Sequence, residues 1–181
     1  MGNFEVEVKA KISDKEDIKN KLISLGAIFK NKKYQHDILL DHPNLDFSKT
    51  DQVLRIRNQD NKWQLDYKGP FTINENGIKS REEYSVNIED GKQIKNIFTL
   101  LNFKLVGEVE KTRESYIFNE MNIDLDEVTN LGSFIEIEIL STEENSEDSK
   151  IKIFEFLYKL GIKETVKKDY LELLWEKGYF K

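Results

Sequence analysis

Residues 3–12 read NFEVEVKAKI, and the alternation is unbroken. Phe4, Val6, Val8, Ala10 and Ile12 are apolar, while Glu5, Glu7, Lys9 and Lys11 are charged. A period of two marks a β-strand with one greasy and one polar face. Far downstream, residues 134–140 read FIEIEIL and again set two carboxylates, Glu136 and Glu138, two residues apart. The usual assignment turns the apolar face to a core and the charged face to water. The alternative is a charged face that meets a ligand.

Composition narrows the choice. A chain of 181 residues suits one domain, 1–181, with a substantial core. Charged residues make up 34% and hydrophobic residues 38%, as in soluble globular proteins. No run of 18 apolar residues is present, and MGNFEVEV resembles neither a secretory leader nor a myristoylation signal, so a cytoplasmic protein free of the membrane is expected. The absence of Cys removes disulfides, thiolate metal sites and Cys nucleophiles. A net charge of −6 gives no general footprint for nucleic acid. The two His, at 36 and 42, are too few and too close for most imidazole metal sites. Carboxylates would have to hold any metal, which favours a hard ion such as Mg²⁺ or Mn²⁺.

Period-two stretches place strands at about 4–12, 34–41, 52–58, 62–68, 81–88, 107–118, 121–128 and 133–141. Short links such as 58–61 and 119–121 imply antiparallel hairpins. Helices are expected at 13–27, 89–103 and 146–161, with a last short one within 167–178. The first opens on a Ser13-x-x-Glu16 capping box and stops at Gly26; the third stops at Gly161. Segments 42–51 and 69–80 read as loops. The segments beginning IKNKLISLG, IKNIFTLLN and IKIFEFLYKLG repeat faintly, suggesting two β-α-β halves and a third helical copy.

The polar faces are unusual. Arg55 and Arg57 share one strand face; Gln64, Asp66 and Lys68 share the next, then Arg81, Glu83 and Ser85, then Lys111, Arg113 and Ser115, then Asp124 and Asp126. Arg recurs on these faces in a chain otherwise dominated by Lys, and Arg is suited to bidentate oxyanion binding. Acids gather on the first, seventh and eighth strands instead of mixing with the bases. Amphipathic helices also need an apolar sheet face to cover. Two architectures fit: an open sheet with a solvated charged face, or an eight-stranded antiparallel barrel with helices outside and charges inside. Crowded like charges repel unless neutralised. A divalent cation neutralises acids and a polyphosphate neutralises bases, so the pattern points to metal–phosphate chemistry.

Glu5-x-Glu7-x-Lys9 resembles the ExExK signature of the CYTH superfamily, the triphosphate tunnel metalloenzymes. HDILLD (36–41), VLRIR (53–57), YKGP (67–70), SREEYSV (80–86), EKTRESY (110–116), IDLDEV (123–128), LGSFIEIEI (131–139) and DYLELL (169–174) follow in order, so the resemblance covers essentially the whole chain. ExExK alone would be weak in so charged a protein. The later Gly132-x-Phe134-x-Glu136-x-Glu138 makes the match specific. Within the superfamily the chain looks most like the class IV adenylyl cyclase, or CyaB-like, branch.

The resemblance implies an α+β fold, an eight-stranded antiparallel tunnel that binds a triphosphate with metal. It implies that Glu5, Glu7, Glu136 and Glu138, with Asp126, hold Mg²⁺ or Mn²⁺. It implies that Lys9, Lys11, Arg55, Arg57, Lys68, Arg81, Lys111 and Arg113 meet the phosphates, with Lys9, Arg113 and Asp126 closest to the chemistry. Lys11, Asp37, Glu83 and Asp124 match less securely. His36 reads as structural or exposed, and Trp63, Tyr67 and Phe71 as outer core or lid. The substrates in view are ATP, converted to cyclic AMP and pyrophosphate, or inorganic or thiamine triphosphate, which would be hydrolysed. A non-catalytic polyphosphate-binding module is the third possibility. Monomer and homodimer both remain open.

Overall fold

The greasy face of each alternating strand is where the helices lie. The computed structural model describes residues 4–70, 72–73, 79–141 and 145–180, except for the side chains of residues 4, 5, 72, 73, 79 and 80. The carboxylate of Glu5 and all of Phe71 therefore lie outside the described residues. Strands are β1 (Phe4–Lys11), β2 (Ile28–Asp41), β3 (Val53–Gln59), β4 (Lys62–Lys68), β5 (Thr72–Ile73), β6 (Lys79–Ser80), β7 (Glu83–Ile88), β8 (Lys104–Phe118), β9 (Met121–Val128) and β10 (Gly132–Ser141). Helices are α1 (Lys15–Ser24), α2 (Phe47–Thr50), α3 (Gly91–Leu100), α4 (Ser146–Leu160) and α5 (Tyr170–Glu176).

The fold is α+β, with an eight-stranded sheet in the order β1-β10-β9-β8-β2-β3-β4-β7. The described registers are antiparallel. The expected eight antiparallel strands are present. Short β5 and β6 pair inside the segment read as a loop. The second strand starts at Ile28, earlier than expected, because Lys30, Asn31, Lys32 and Lys33 erase the alternation there. Arg81 falls just outside β7. No helix of the described residues is long and apolar enough to cross a membrane.

Two compact units divide the chain: residues 1–33 with 111–177, and residues 34–110 with 178–181. In the first, Ala10, Ile123, Leu125, Ile135 and Ile137 are fully buried with Leu22 of α1 and Ile153 and Leu157 of α4. Each such Leu or Ile contributes roughly 1.5–3 kcal/mol over its exposed state. The cap of α1 corrects the expectation of a Ser13 box. Asp14 is the N-cap, in extended conformation, and its carboxylate accepts from the Asp17 N–H at 2.9 Å. Gly26 and Gly161, at φ 96° and 83°, take the left-handed stops that their positions predict. In the second unit Ile38, Leu40, Phe47, Leu54 and Ile56 pack with Trp63, Tyr67 and Phe98, so Trp63 and Tyr67 belong to the core. Gly91 opens α3 against Trp63, where a Cβ would sit 2.1 Å from the indole.

One acid lies on the apolar side. Glu114 of β8 is 5% exposed and receives Lys15 at 3.2 Å, Lys19 at 3.1 Å and the Tyr116 hydroxyl at 3.1 Å. Burial works against its charge, but the hydrogen bonds from Lys19 and Lys15 prevail and hold its pKa at about 2, below the ordinary 4.5. A depressed carboxyl stabilises the fold above its unfolded pKa and stops doing so as pH falls through the folded one. Glu114→Gln is therefore expected to cost on the order of 2 kcal/mol at pH 7. The deficit should fade between pH 4.5 and about 2, as urea unfolding of both proteins across that window will show. A pH-independent difference would contradict this role.

Candidate active site

The polar face of the first unit is built by register. Glu7 stands opposite Glu138, Lys9 opposite Glu136, and Glu136 opposite Asp124, which faces Ser115. In the next row Lys11 faces Phe134, Phe134 faces Asp126, and Asp126 faces Arg113. Residues directly opposite on antiparallel strands share a face, so the alternation of β1 and β10 gathers these groups. Glu5 is opposite Leu140, one row beyond Glu138.

Arg113 is the hub. Its Nε donates to Asp126 at 2.7 Å, one terminal nitrogen contacts Asp124 at 2.7 Å, and the other reaches both Asp126, at 2.5 Å, and Glu136. Burial disfavours its charge, yet the hydrogen bonds and charges of Asp126, Glu136 and Asp124 outweigh burial and raise its pKa. Lys111 donates to Asp126 at 2.9 Å. Burial, then Arg113, pushes its pKa down against the pull of Asp126. Lys9 lies 3.3 Å from Glu136. Ser115 donates to Asp124 at 2.6 Å.

Asp126 is fully buried and accepts from Arg113, Lys111 and, at 3.0 Å, the Tyr170 hydroxyl. Burial alone would raise its pKa, but Arg113 and Lys111 hold it at about 2. Its oxygens are thus occupied by donors, and in this arrangement it anchors the bases. The accessible acids differ. Glu7 is solvent-accessible, Glu136 and Glu138 partly so. Lost hydration on the crowded face, then the charge of Glu136, raises the Glu7 carboxyl, with Glu138 adding to the effect and Lys9 and Arg113 opposing it. Glu7, Asp124, Asp126, Glu136 and Glu138 outnumber Lys9, Lys11, Lys111 and Arg113, so this face carries a small surplus of negative charge.

The polar face of the second unit is built from arginines backed by acids. Arg57 makes a fork with Asp37, at 2.6 and 2.7 Å. Arg55 donates to Asp66 at 3.1 and 2.9 Å, and Ser85 donates to the other Asp66 oxygen at 2.7 Å. Asp37 and Asp66 are buried, at 6% and 4% exposure, so they fix each guanidinium from behind. Lys68 and Arg81 converge on Glu83 at 3.1 and 2.9 Å. Burial opposes the Glu83 charge, but these two bases lower its pKa. His36 pairs with Glu108 at 2.9 Å, away from these arginine forks.

The residues expected from sequence therefore fall into two charged sets, with Lys11 beside the Phe134 ring at 5.8 Å. Asp66 and Tyr170 were missed as site residues. Tyr170 carried one sequence signal: a Tyr at the start of a helix whose Leu171 and Leu174 are buried needs a partner for its hydroxyl. Among the described residues no three carboxylate or imidazole groups stand close enough to hold a metal ion as they are. The donor chemistry nevertheless fits a hard divalent cation, since Glu7, Glu136 and Glu138 offer only oxygen and crowd like charge on one face.

An α+β fold of antiparallel strands, greasy under helices and charged on the other face, is the class that this geometry defines. The CYTH domain matches residues 3–169, and the chain belongs to that family. Its members act on triphosphate-bearing substrates such as ATP. A Methanocaldococcus jannaschii protein named "Putative adenylate cyclase MJ0240" is 38% identical over 173 residues, covering 94% of this chain and 98% of the relative. The PH1819 protein of Pyrococcus horikoshii superposes with a TM-score of 0.79 at 38% identity, over 96% of this chain and 99% of its own. HpAC1 from Hippeastrum, described as having a dominant triphosphatase activity, shares the fold at TM-score 0.68 and 22% identity, over 98% of each chain.

Proposed function

We propose that this protein is a divalent-metal-dependent enzyme of the class IV adenylyl cyclase kind, converting ATP into cyclic AMP and pyrophosphate. The observation that carries the reading is the surplus of carboxylate around Glu7, on the same sheet face as Lys9, Arg113 and Lys111. The 38%-identical archaeal relative bearing a cyclase name supports the choice of reaction. Bound Mg²⁺ or Mn²⁺, held by Glu7, Glu136 and Glu138 with Glu5 as a further ligand, would neutralise that surplus and polarise phosphate oxygens. Asp126, the further expected ligand, accepts from Arg113 and Lys111 and would meet the metal beside these cations.

Phosphoryl chemistry asks chiefly for positioning and charge stabilisation. Lys9 and Arg113 offer cationic donors beside the acids, and Lys111 and Lys11 extend that row. In the second unit Arg55 and Arg57, fixed by Asp66 and Asp37, present planar forks suited to phosphate oxygens, and Lys68 and Arg81 are two further cations there. In the cyclase reaction the ribose 3′-oxygen attacks the α-phosphorus and pyrophosphate departs, while Lys9 and Arg113 take up charge on the phosphate oxygens.

A triphosphatase acting on inorganic or thiamine triphosphate is the second reading. The same fold carries triphosphatase activity in HpAC1, and here Trp63 and Tyr67 are packed in the core, away from the charged face. A non-catalytic binding module would not need the acids that this chain keeps. Incubation with ATP, inorganic triphosphate and thiamine triphosphate, each with Mg²⁺ and with Mn²⁺, separates the readings by product. Cyclic AMP with pyrophosphate is the expected outcome; orthophosphate alone would replace the cyclase with the triphosphatase.

A further inference from the structure

We infer that Tyr170 is a positioning residue, whose ring is a shared platform for the ammonium groups of Lys9 and Lys111. The Lys9 ammonium lies 4.4 Å from the ring centroid and that of Lys111 lies 4.8 Å away. An ammonium over an aromatic face is attracted by the ring quadrupole, and more so when water is excluded. Tyr170 is 7% exposed, and Lys9 and Lys111 retain side-chain exposures of 11% and 6%. The hydroxyl donates to Asp126 at 3.0 Å, so one side chain touches both lysines and the acid that holds Arg113. Burial, then the charges of Asp126 and Glu136, raises the Tyr170 pKa and keeps that donor protonated.

The C-terminal segment is secured around this ring. Val166 N–H donates to the Lys9 carbonyl at 2.7 Å, and the Lys9 ammonium reaches the Lys168 carbonyl at 3.4 Å. Asp169 closes a capping box with Glu172, which starts α5 at Tyr170. The ring also meets Phe134 edge-on at 5.1 Å. Residues 166–170 thus set the direction of two phosphate-binding lysines. This inference rests on the triphosphate reading of the site.

Two measurements test it. In wild-type protein the ring current of Tyr170 should move the ε-methylene proton resonances of Lys9 and Lys111 upfield of the other lysines; resonances at ordinary positions would overturn the platform. The second is calorimetric binding of inorganic triphosphate with no metal added. Tyr170→Phe keeps the ring and should bind within about twofold of wild type, whereas Tyr170→Leu should bind about tenfold more weakly. Leu174→Ala loosens the same helix without removing the ring and should bind like wild type once corrected for the folded fraction. Equal binding by the Leu and Phe variants, or a loss in Leu174→Ala as large as in Tyr170→Leu, would overturn the proposal. Failure of the wild type to bind triphosphate both without metal and with Mg²⁺ would overturn the functional reading, whereas the wild-type lysine resonances test the platform by themselves.

Discussion

Glu136→Ala is expected to reduce metal-dependent triphosphate turnover at least a hundredfold while the fold survives. Glu136 is the acid that both Lys9 and Arg113 touch, and it stands opposite Asp124 and beside Glu7. Its removal deletes one of the oxygen donors proposed for the metal and releases two cations proposed to meet phosphate. The loss should appear in kcat, because the group acts where charge develops. The fold has little reason to fail. The side chain is a partly accessible strand residue, and Arg113 keeps Asp126 and Asp124. A Tm close to wild type with turnover gone is the expected pair of results. Undiminished turnover in Glu136→Ala would remove this residue from the metal site.

Asp126→Ala should act the other way round, through stability. Asp126 is fully buried, and Lys111 beside it is 6% exposed. Deleting the acid strands a buried ammonium and guanidinium, a change that costs about 3–5 kcal/mol where buried pairs have been broken. The Tyr170 hydroxyl also loses its acceptor. Asp126 is held at about 2, below its ordinary 3.8, so its stabilising effect is complete above pH 4 and lost as pH falls toward 2. Guanidinium unfolding of wild type and variant should therefore differ most at neutral pH and converge in acid. A variant as stable as wild type at pH 7 would show that the buried charges are compensated elsewhere. Asp126→Asn, which preserves shape, should lose less than the Ala variant but lose it over the same pH window.

Strand alternation made most of the fold legible. Wherever charged and apolar residues alternated cleanly, as in β1, β3, β4, β9 and β10, the strand fell where expected, because burial of one face and not local propensity decides it. Two β-α-β passages also appear, β1-α1-β2 and β7-α3-β8, in keeping with the faint repeat. The beginning of β2 was illegible because consecutive polar residues at 30–33 leave no greasy face to read. The α1 cap was misplaced by one residue, since Ser13 and Asp14 are both competent caps and only backbone geometry chooses between them.

Within the candidate site, sequence separated acids from bases but not buried acids from accessible ones. Asp124, Asp126, Glu136 and Glu138 look alike as strand acids. Register and depth give Asp126 three donors and leave Glu7 and Glu138 accessible. The site role of Tyr170 was not readable because Asp126, Lys111 and Lys9 lie 44 residues or more away in sequence. The acids behind the arginines, Asp37 and Asp66, were readable as polar-face residues, but their role as backstops needed the forks to be seen.

If the carboxylate surplus on β1 and β10 holds a divalent cation together with a triphosphate, a Mn²⁺ titration followed by electron paramagnetic resonance, with and without inorganic triphosphate, will detect it. Wild type should take up Mn²⁺ more tightly when triphosphate is present, and the Glu7→Gln/Glu138→Gln double variant should lose that uptake while remaining folded. Mn²⁺ that stays free in the presence of wild type and triphosphate, or uptake unchanged in the double variant, would rule out a metal site on these acids.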